Sequence, residues 1–253
     1  TNTISNEKEN KINTIIKQKD INKNNKLEIP KIIYNNGASQ KGKGVDFQRK
    51  QLEKDLRNFY HHYGNEGYIL NIDFSKYYDN ILHDVAYQQF AELVDDDIAK
   101  WVLRESFKKF EVDVSYMSDD EYADCLNLKH DSVQYYLDHV QNKDPGLSGK
   151  KMMRKHLDIG DQVSQCVGLF YPHKIDNYVK IVRGVKWYGR YQDDSYIIAR
   201  TKEELWSILD GIKEIAGGEL GIFINEKKTH ITKLSSKFTF LQIQYSLTNT
   251  GKI

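Results

Sequence analysis

Asp73 closes an apolar run, Gly67-Tyr68-Ile69-Leu70-Asn71-Ile72-Asp73. Asp193-Asp194 stands between two more apolar runs, Val185–Tyr191 and Ser195–Ala199. Carboxylates at the ends of apolar strands are costly to desolvate unless a cation pairs with them. The Gly67–Phe74 run supplies no Lys or Arg for that purpose. A hard divalent ion would serve, because Mg²⁺ takes oxygen ligands, typically one or two carboxylates plus substrate phosphates. Two such ions about 3.5–4 Å apart activate an attacking 3′-hydroxyl and stabilise a leaving pyrophosphate. The acids therefore point to metal-assisted nucleotidyl transfer, set against the plainer reading of a strand-end acid and an Asp-Asp turn. His156, His173 and His230 lack metal-ligand spacing and read as structural or surface residues.

The elements that must position these acids are legible in outline. Residues 1–28, rich in Asn and Lys, read as a flexible or weakly helical arm. A Gly/Lys loop from Asn35 to Gly44 precedes an amphipathic helix, with Asp46 as its N-cap, running to about Tyr63. The Gly67–Phe74 strand follows. Residues 75–142 read as mostly helical and acidic, with a turn-rich break near Ser115–Asp120. Gly146–Gly149 is a loop, and a long helix is expected from Ser164 to Val182. The two runs flanking Asp193-Asp194 have the pattern of a β-hairpin. Thr201 caps a helix to about Ala216, and Gly217-Gly218 ends it. Strands are expected at Gly221–Ile224, Thr229–Lys233 and Phe238–Tyr245. The fold class is α+β, an antiparallel sheet with helices on one face.

The net charge of +1 conceals segregation: residues 1–60 carry +6, residues 61–149 carry −11 and residues 150–253 carry +6. Basic flanks around an acidic middle suit a surface that faces phosphates on some sides only. No apolar run approaches the roughly 20 residues of a membrane span. Cys125 and Cys166 provide no disulfide framework, which places the expected setting in the cytoplasm.

The words around the acids carry a resemblance. Asp73-Phe74-Ser75-Lys76-Tyr77-Tyr78-Asp79-Asn80-Ile81 resembles motif A of reverse transcriptases, and Tyr191-Gln192-Asp193-Asp194 resembles their motif C. Between them, Ile159-Gly160-Asp161-Gln162-Val163-Ser164-Gln165, continuing to Tyr171 and Ile175-Asp176, is similar to motif B. Leu220 to Thr229, containing Asn225-x-x-Lys228-Thr229, is similar to motif D. Phe238-Thr239-Phe240-Leu241-Gln242 stands where motif E, the primer grip, would follow. These motifs in this order span Asp73 to Tyr245.

The resemblance implies a right-hand polymerase palm at 67–253, with a helical insertion at about 84–150, partial fingers at 29–66 and no apparent thumb. It implies RNA-directed DNA polymerase activity with two Mg²⁺ ions, for which Mn²⁺ substitutes. Asp73, the Phe74 carbonyl, Asp193 and Asp194 would hold the metals, and Lys228 would protonate the pyrophosphate. Strand alternation would let only one of Lys227 and Lys228 face the site, and Lys228 is favoured. Tyr78 would be the steric gate that excludes a ribose 2′-hydroxyl. Gly160, Ser164, Gln165 and Gln192 would line the nascent pair. Lys41, Lys43 and Arg49 are candidate phosphate contacts. Partners implied are an RNA template, a DNA or RNA primer and dNTPs.

Motif B separates classes. The aliphatic-Gly-x-x-x-Ser-Gln form resembles the bacterial and phage enzymes of diversity-generating retroelements, a group II intron-like lineage that works error-prone and with a basic accessory protein. A phage-defence or prophage reverse transcriptase with a dedicated non-coding RNA stays open. So does a non-catalytic palm fragment that binds RNA or protein. As departures from the resembled family, the Arg-bearing fingers motifs expected before the Gly/Lys loop are not visible in residues 1–35, and the eight residues after Tyr245 leave no room for a helical thumb.

Overall fold

The computed structural model describes residues 32–127 and 148–253. The N-terminal arm and the expected loop start at Gly146 lie outside the described residues. A four-stranded antiparallel sheet forms the centre, in the order β5-β6-β1-β8. Its strands are β1 (Tyr68–Ile72), β5 (Tyr188–Tyr191), β6 (Asp194–Ala199) and β8 (His230–Lys233). β1 is an interior strand, paired with β6 from Tyr68↔Ala199 to Ile72↔Ser195 and with β8 from Tyr68↔Lys233 to Asn71↔His230.

Side chains alternate across a strand, and here both faces are covered. Leu70, Ile72 and Ile197 enter one core with Leu205, Ile208 and Leu209 of α7 (Lys202–Ile215). Ile69, Tyr196 and Ile198 enter a second core with Leu52, Leu56 and Phe59 of α1 (Val45–Tyr63). Helices therefore pack on both faces, which corrects the expectation of helices on one. The second core also takes Phe238 and Phe240 of β9 (Phe238–Phe240) and Tyr245 of β10 (Ile243–Tyr245), which pair as a hairpin. That hairpin replaces the single strand expected over 238–245. Its turn residues Leu241 and Gln242 both have positive φ, 46° and 68°, the signature of a tight two-residue hairpin turn.

Other boundaries moved for local reasons. α1 begins after Gly44, leaving Asp46 in the first turn rather than at the cap. The expected long helix starts at Gln162, because Asp161 accepts from the Val163 and Ser164 amides. It is broken into α5 (Gln162–Phe170), α6 (His173–Asn177) and a π-helical segment, Tyr178–Val182. Pro172 lies at the break, lacking the amide that would continue the ladder. Thr201 does cap α7, accepting from the Glu204 amide. The helix runs past Gly217-Gly218 as a π-helical segment and ends at Gly221, φ 64°. The acidic middle contains α2 (His83–Ala91), α3 (Asp97–Lys108) and α4 (Asp119–Asn127), and it also includes β3 (Val112–Asp113) paired with β4 (Met152–Met153). Two short strands, β2 (Phe74–Ser75) and β7 (Phe223–Ile224), pair beside the end of β1. Among the described residues no helix is long and apolar enough to cross a membrane.

Candidate active site

Asp73 follows the last residue of β1, one step beyond the Ile72↔Ser195 pair, so the β1–β6 register sets it beside Asp194. Its backbone is held from the other side: the Asn225 amide donates to the Asp73 carbonyl at 2.8 Å, and the Asp73 amide donates to Thr229 Oγ1 at 3.3 Å. Asn225 also accepts the Lys228 and Thr229 amides, making a turn, so strand alternation is not what separates Lys227 from Lys228. That turn aims Lys228, whose Nζ lies 3.1 Å from Asp73 Oδ2. Lys227 is exposed, and its amide donates to Asn225 Oδ1.

β5 and β6 close through Gln192-Asp193, with Tyr191 opposite Asp194. Gln192 has φ 56°, a left-handed conformation that places Asp193 at the hairpin tip. A buried guanidinium fixes this turn. Arg190 Nη1 donates to the Gln192 carbonyl at 2.9 Å, and Nη2 donates to the Leu169 carbonyl at 3.0 Å. Nε and Nη2 meet the two oxygens of Asp176 at 2.9 and 2.6 Å, and Tyr188 Oη donates to Asp176 at 2.6 Å. The hairpin tip is thus tied to α5 and α6 as well as to its own strands. Gln192 Nε2 donates to Ser39 Oγ at 3.0 Å, which tethers the Gly/Lys loop to the same turn.

Electrostatically the site is crowded with like charge. Burial, followed by the charges of Asp193 and Asp73, pushes the Asp194 carboxyl up to about 6. Burial also raises Asp193, with Asp73 adding to it and Lys228 and Arg190 opposing it. The hydrogen bond to Asp73 raises Lys228. Burial and then the Asp193 charge push the Tyr78 phenol up to about 12.

Two clefts open at these acids. One, of about 590 Å³, is lined by Asp73, Gln192, Asp193, Asp194, Arg49 and the Leu241–Gln242 turn, among others. The other, of about 460 Å³, runs past Lys76, Tyr78 and Ile159. Asp73, Asp193 and Lys228 line both.

The other expected residues divide. Tyr78 reaches the second cleft, and the Phe74 backbone pairs with Ile224 beside it. Gly160 has φ 101°, a conformation open to glycine, with free space where a Cβ would stand. Gln165 is exposed on α5, whereas Ser164 is fully buried and turned into the protein. Lys43 donates to the Tyr34 and Asn36 carbonyls at 2.7 and 3.2 Å. Arg49 donates twice to the Leu241 carbonyl, at 3.2 and 2.6 Å, and so holds the hairpin turn at the first cleft. Lys41 is exposed and lines neither cleft. Of the histidines, His173 stacks on Phe170 and His156 sits between Asp79 and Asp158 at 3.2 and 2.9 Å. His230 lines the first cleft, its Nδ1 2.8 Å from the Lys228 carbonyl. Arg190 is the residue that sequence reasoning missed, although a guanidinium inside an otherwise apolar strand was its signal.

Among the described residues no three His, Cys, Asp or Glu side chains converge into a ready metal-holding group. The donor chemistry nevertheless fits a hard cation. Asp73, Asp193 and Asp194 are oxygen donors, burial and then the neighbouring acids raise Asp193 and Asp194, and Lys228 already supplies one positive charge to Asp73.

No protein-family model matches the sequence, and no curated protein matches it. Among solved structures, telomerase from Candida tropicalis truncated from its C-terminal domain aligns with TM-score 0.50 at 13% identity, over 83% of this chain and 39% of that one. The fold is telomerase-like. Telomerase from Candida albicans, solved with a fragment of telomeric RNA, aligns with TM-score 0.49 at 13% identity, over 79% of this chain and 32% of that one. The chain thus spans well under half the length of the telomerases it matches. Within this telomerase-like fold the acids stand at one end of the central sheet, where both clefts meet.

Proposed function

We propose that this chain is the palm of an RNA-directed DNA polymerase. The observation that carries the reading is the side-by-side placement of Asp73 and Asp193-Asp194 at the ends of adjacent strands, with Lys228 on Asp73, between two clefts. The fold shared with part of a telomerase and the ordered motifs in the sequence support it. Asp73 and Asp193, with the Phe74 carbonyl and Asp194 assisting, would hold Mg²⁺ or Mn²⁺. The bound ions supply activation of the primer 3′-hydroxyl and charge stabilisation on the pyrophosphate.

The chain's own residues do the rest. The first cleft, walled by the Leu241–Gln242 turn that Arg49 holds, takes the primer end paired to its RNA template. The second takes the incoming dNTP, with Tyr78 against the sugar. Lys228 carries a proton at Nζ on the shared wall, placed to donate it to the leaving group. Arg190 and Asp176 keep the acid turn in place without touching substrate.

Within this reading Ile159 supports the diversity-generating subclass: it is 85% exposed at the second cleft, and its aliphatic side chain has no group to hydrogen-bond a base or sugar. Primer extension on poly(rA)/oligo(dT) with Mg²⁺ tests the proposal. Wild type is expected to extend the primer and Asp193→Asn/Asp194→Asn is not. Equal yields from the two would leave the non-catalytic binding reading in its place.

A further inference from the structure

Two neighbouring aromatics of the Asp73 segment rest on one residue of α5. A Cβ at Gly168 would stand 2.6 Å from Tyr78 Oη and 2.9 Å from two of its ring carbons. Ordinary carbon contacts are about 3.5–4.0 Å, so the ring fits only because Gly168 has no side chain. The Gly168 carbonyl also accepts the Tyr77 hydroxyl at 2.7 Å, and the Tyr77 ring lies edge-on to Tyr78 with centroids 5.3 Å apart. Tyr77 is buried, and its hydroxyl bond to the Gly168 carbonyl holds it beside Tyr78. Tyr78 lines the second cleft and Gly168 does not, which puts the ring between the helix and the cleft.

We propose that Gly168 is a positioning residue for nucleotide selection: its bare Cα sets how far the Tyr78 ring projects into the nucleotide cleft. The inference rests on the reading of Tyr78 as the sugar gate. A methyl group at Gly168 must push the ring away by about 1 Å to restore normal contact. With the helix behind the ring and Tyr77 beside it, the direction left is into the cleft. The nucleotide then meets a narrower opening, while the acids and Lys228 stay in place.

The test is single-nucleotide incorporation of dTTP and UTP opposite template adenine by wild type, Tyr78→Ala, Gly168→Ala and the double variant, with thermal melts of each. Gly168→Ala is expected to raise the KM for dTTP roughly tenfold, with kcat changed less than about twofold. In the Tyr78→Ala background the same substitution should change neither, because the clash is gone. An unchanged KM, or an equal effect with and without the Tyr78 ring, would overturn the proposal. If Gly168→Ala alone does not fold, folding of the double variant supports the proposal, and failure of both overturns it. The gate reading has its own observable. Tyr78→Ala should raise UTP use relative to dTTP, and an unchanged ratio would bring down that reading and this inference with it.

Discussion

Arg190 and Asp176 form a fully buried ion pair, Nη2 to Oδ2 at 2.6 Å, whose guanidinium also donates to the carbonyl of Gln192 in the acid turn. Burying two charges is costly, and removing one partner strands the other. Asp176→Asn is therefore expected to destabilise the protein by about 3–5 kcal/mol in urea unfolding. At temperatures where the variant remains folded, it should also lower nucleotide incorporation, because the turn carrying Asp193 loses its anchor. A stability loss below about 1 kcal/mol, the usual effect of a surface pair, would show that the clamp is not needed.

Lys228 should matter to rate more than to substrate binding. Lys228→Ala is expected to lower kcat by about 10²–10⁴, the usual contribution of a positioned general acid. Lys228 also lowers the pKa of Asp193 and Asp194, so its loss should move the acidic limb of the pH–rate profile to higher pH. A full pH–rate profile of both proteins checks the two effects together.

Asp55 offers a pH-dependent stability signal outside the acid cluster. It sits in α1 and accepts hydrogen bonds from Tyr196 Oη at 2.8 Å and Asn35 Nδ2 at 3.2 Å. Burial pushes its carboxyl up to about 6, from an ordinary value of 3.8. The folded state thus binds the proton more tightly than the unfolded state does. The stability this contributes is fully present below the ordinary value and is lost as pH rises through about 6. Its size is on the order of 2–3 kcal/mol. Asp55→Asn retains an acceptor for Tyr196 but cannot titrate. Melting temperatures across this range should show wild type falling relative to the variant, and parallel profiles would contradict the assignment.

Arg49 is expected to act through the hairpin. Arg49→Ala removes both donors to the Leu241 carbonyl and frees a turn whose two residues have positive φ. The KM for primer–template should rise several-fold while the KM for dTTP stays within about twofold of wild type. Equal rises in both would place Arg49 elsewhere in the reaction.

What the sequence made legible was what local signals control. The hairpin around Asp193-Asp194, the strand ending at Asp73 and the Thr201 cap rest on alternation, turn residues and a side chain reaching its own helix start. What it hid depends on contacts between distant segments. Arg190 meets Asp176 only after α6 folds against β5, and Ser164 is turned inward by its position on α5. Lys43 and Arg49 are legible as candidate phosphate contacts, but not that each also donates to backbone carbonyls, Lys43 in its own loop and Arg49 in a turn 192 residues away. Gly168 carried no signal in sequence, because its role is the space it leaves for a ring 90 positions earlier.

On the proposed function, Asp73 and the Asp193-Asp194 turn form one reaction centre. Single-turnover addition of dTMP to an RNA-templated primer by wild type and Asp73→Asn tests it most directly. Rapid Mg²⁺-dependent addition is expected from wild type and a loss of at least about 10³-fold from the variant, with primer–template binding retained. Equal rates in the two proteins would contradict it.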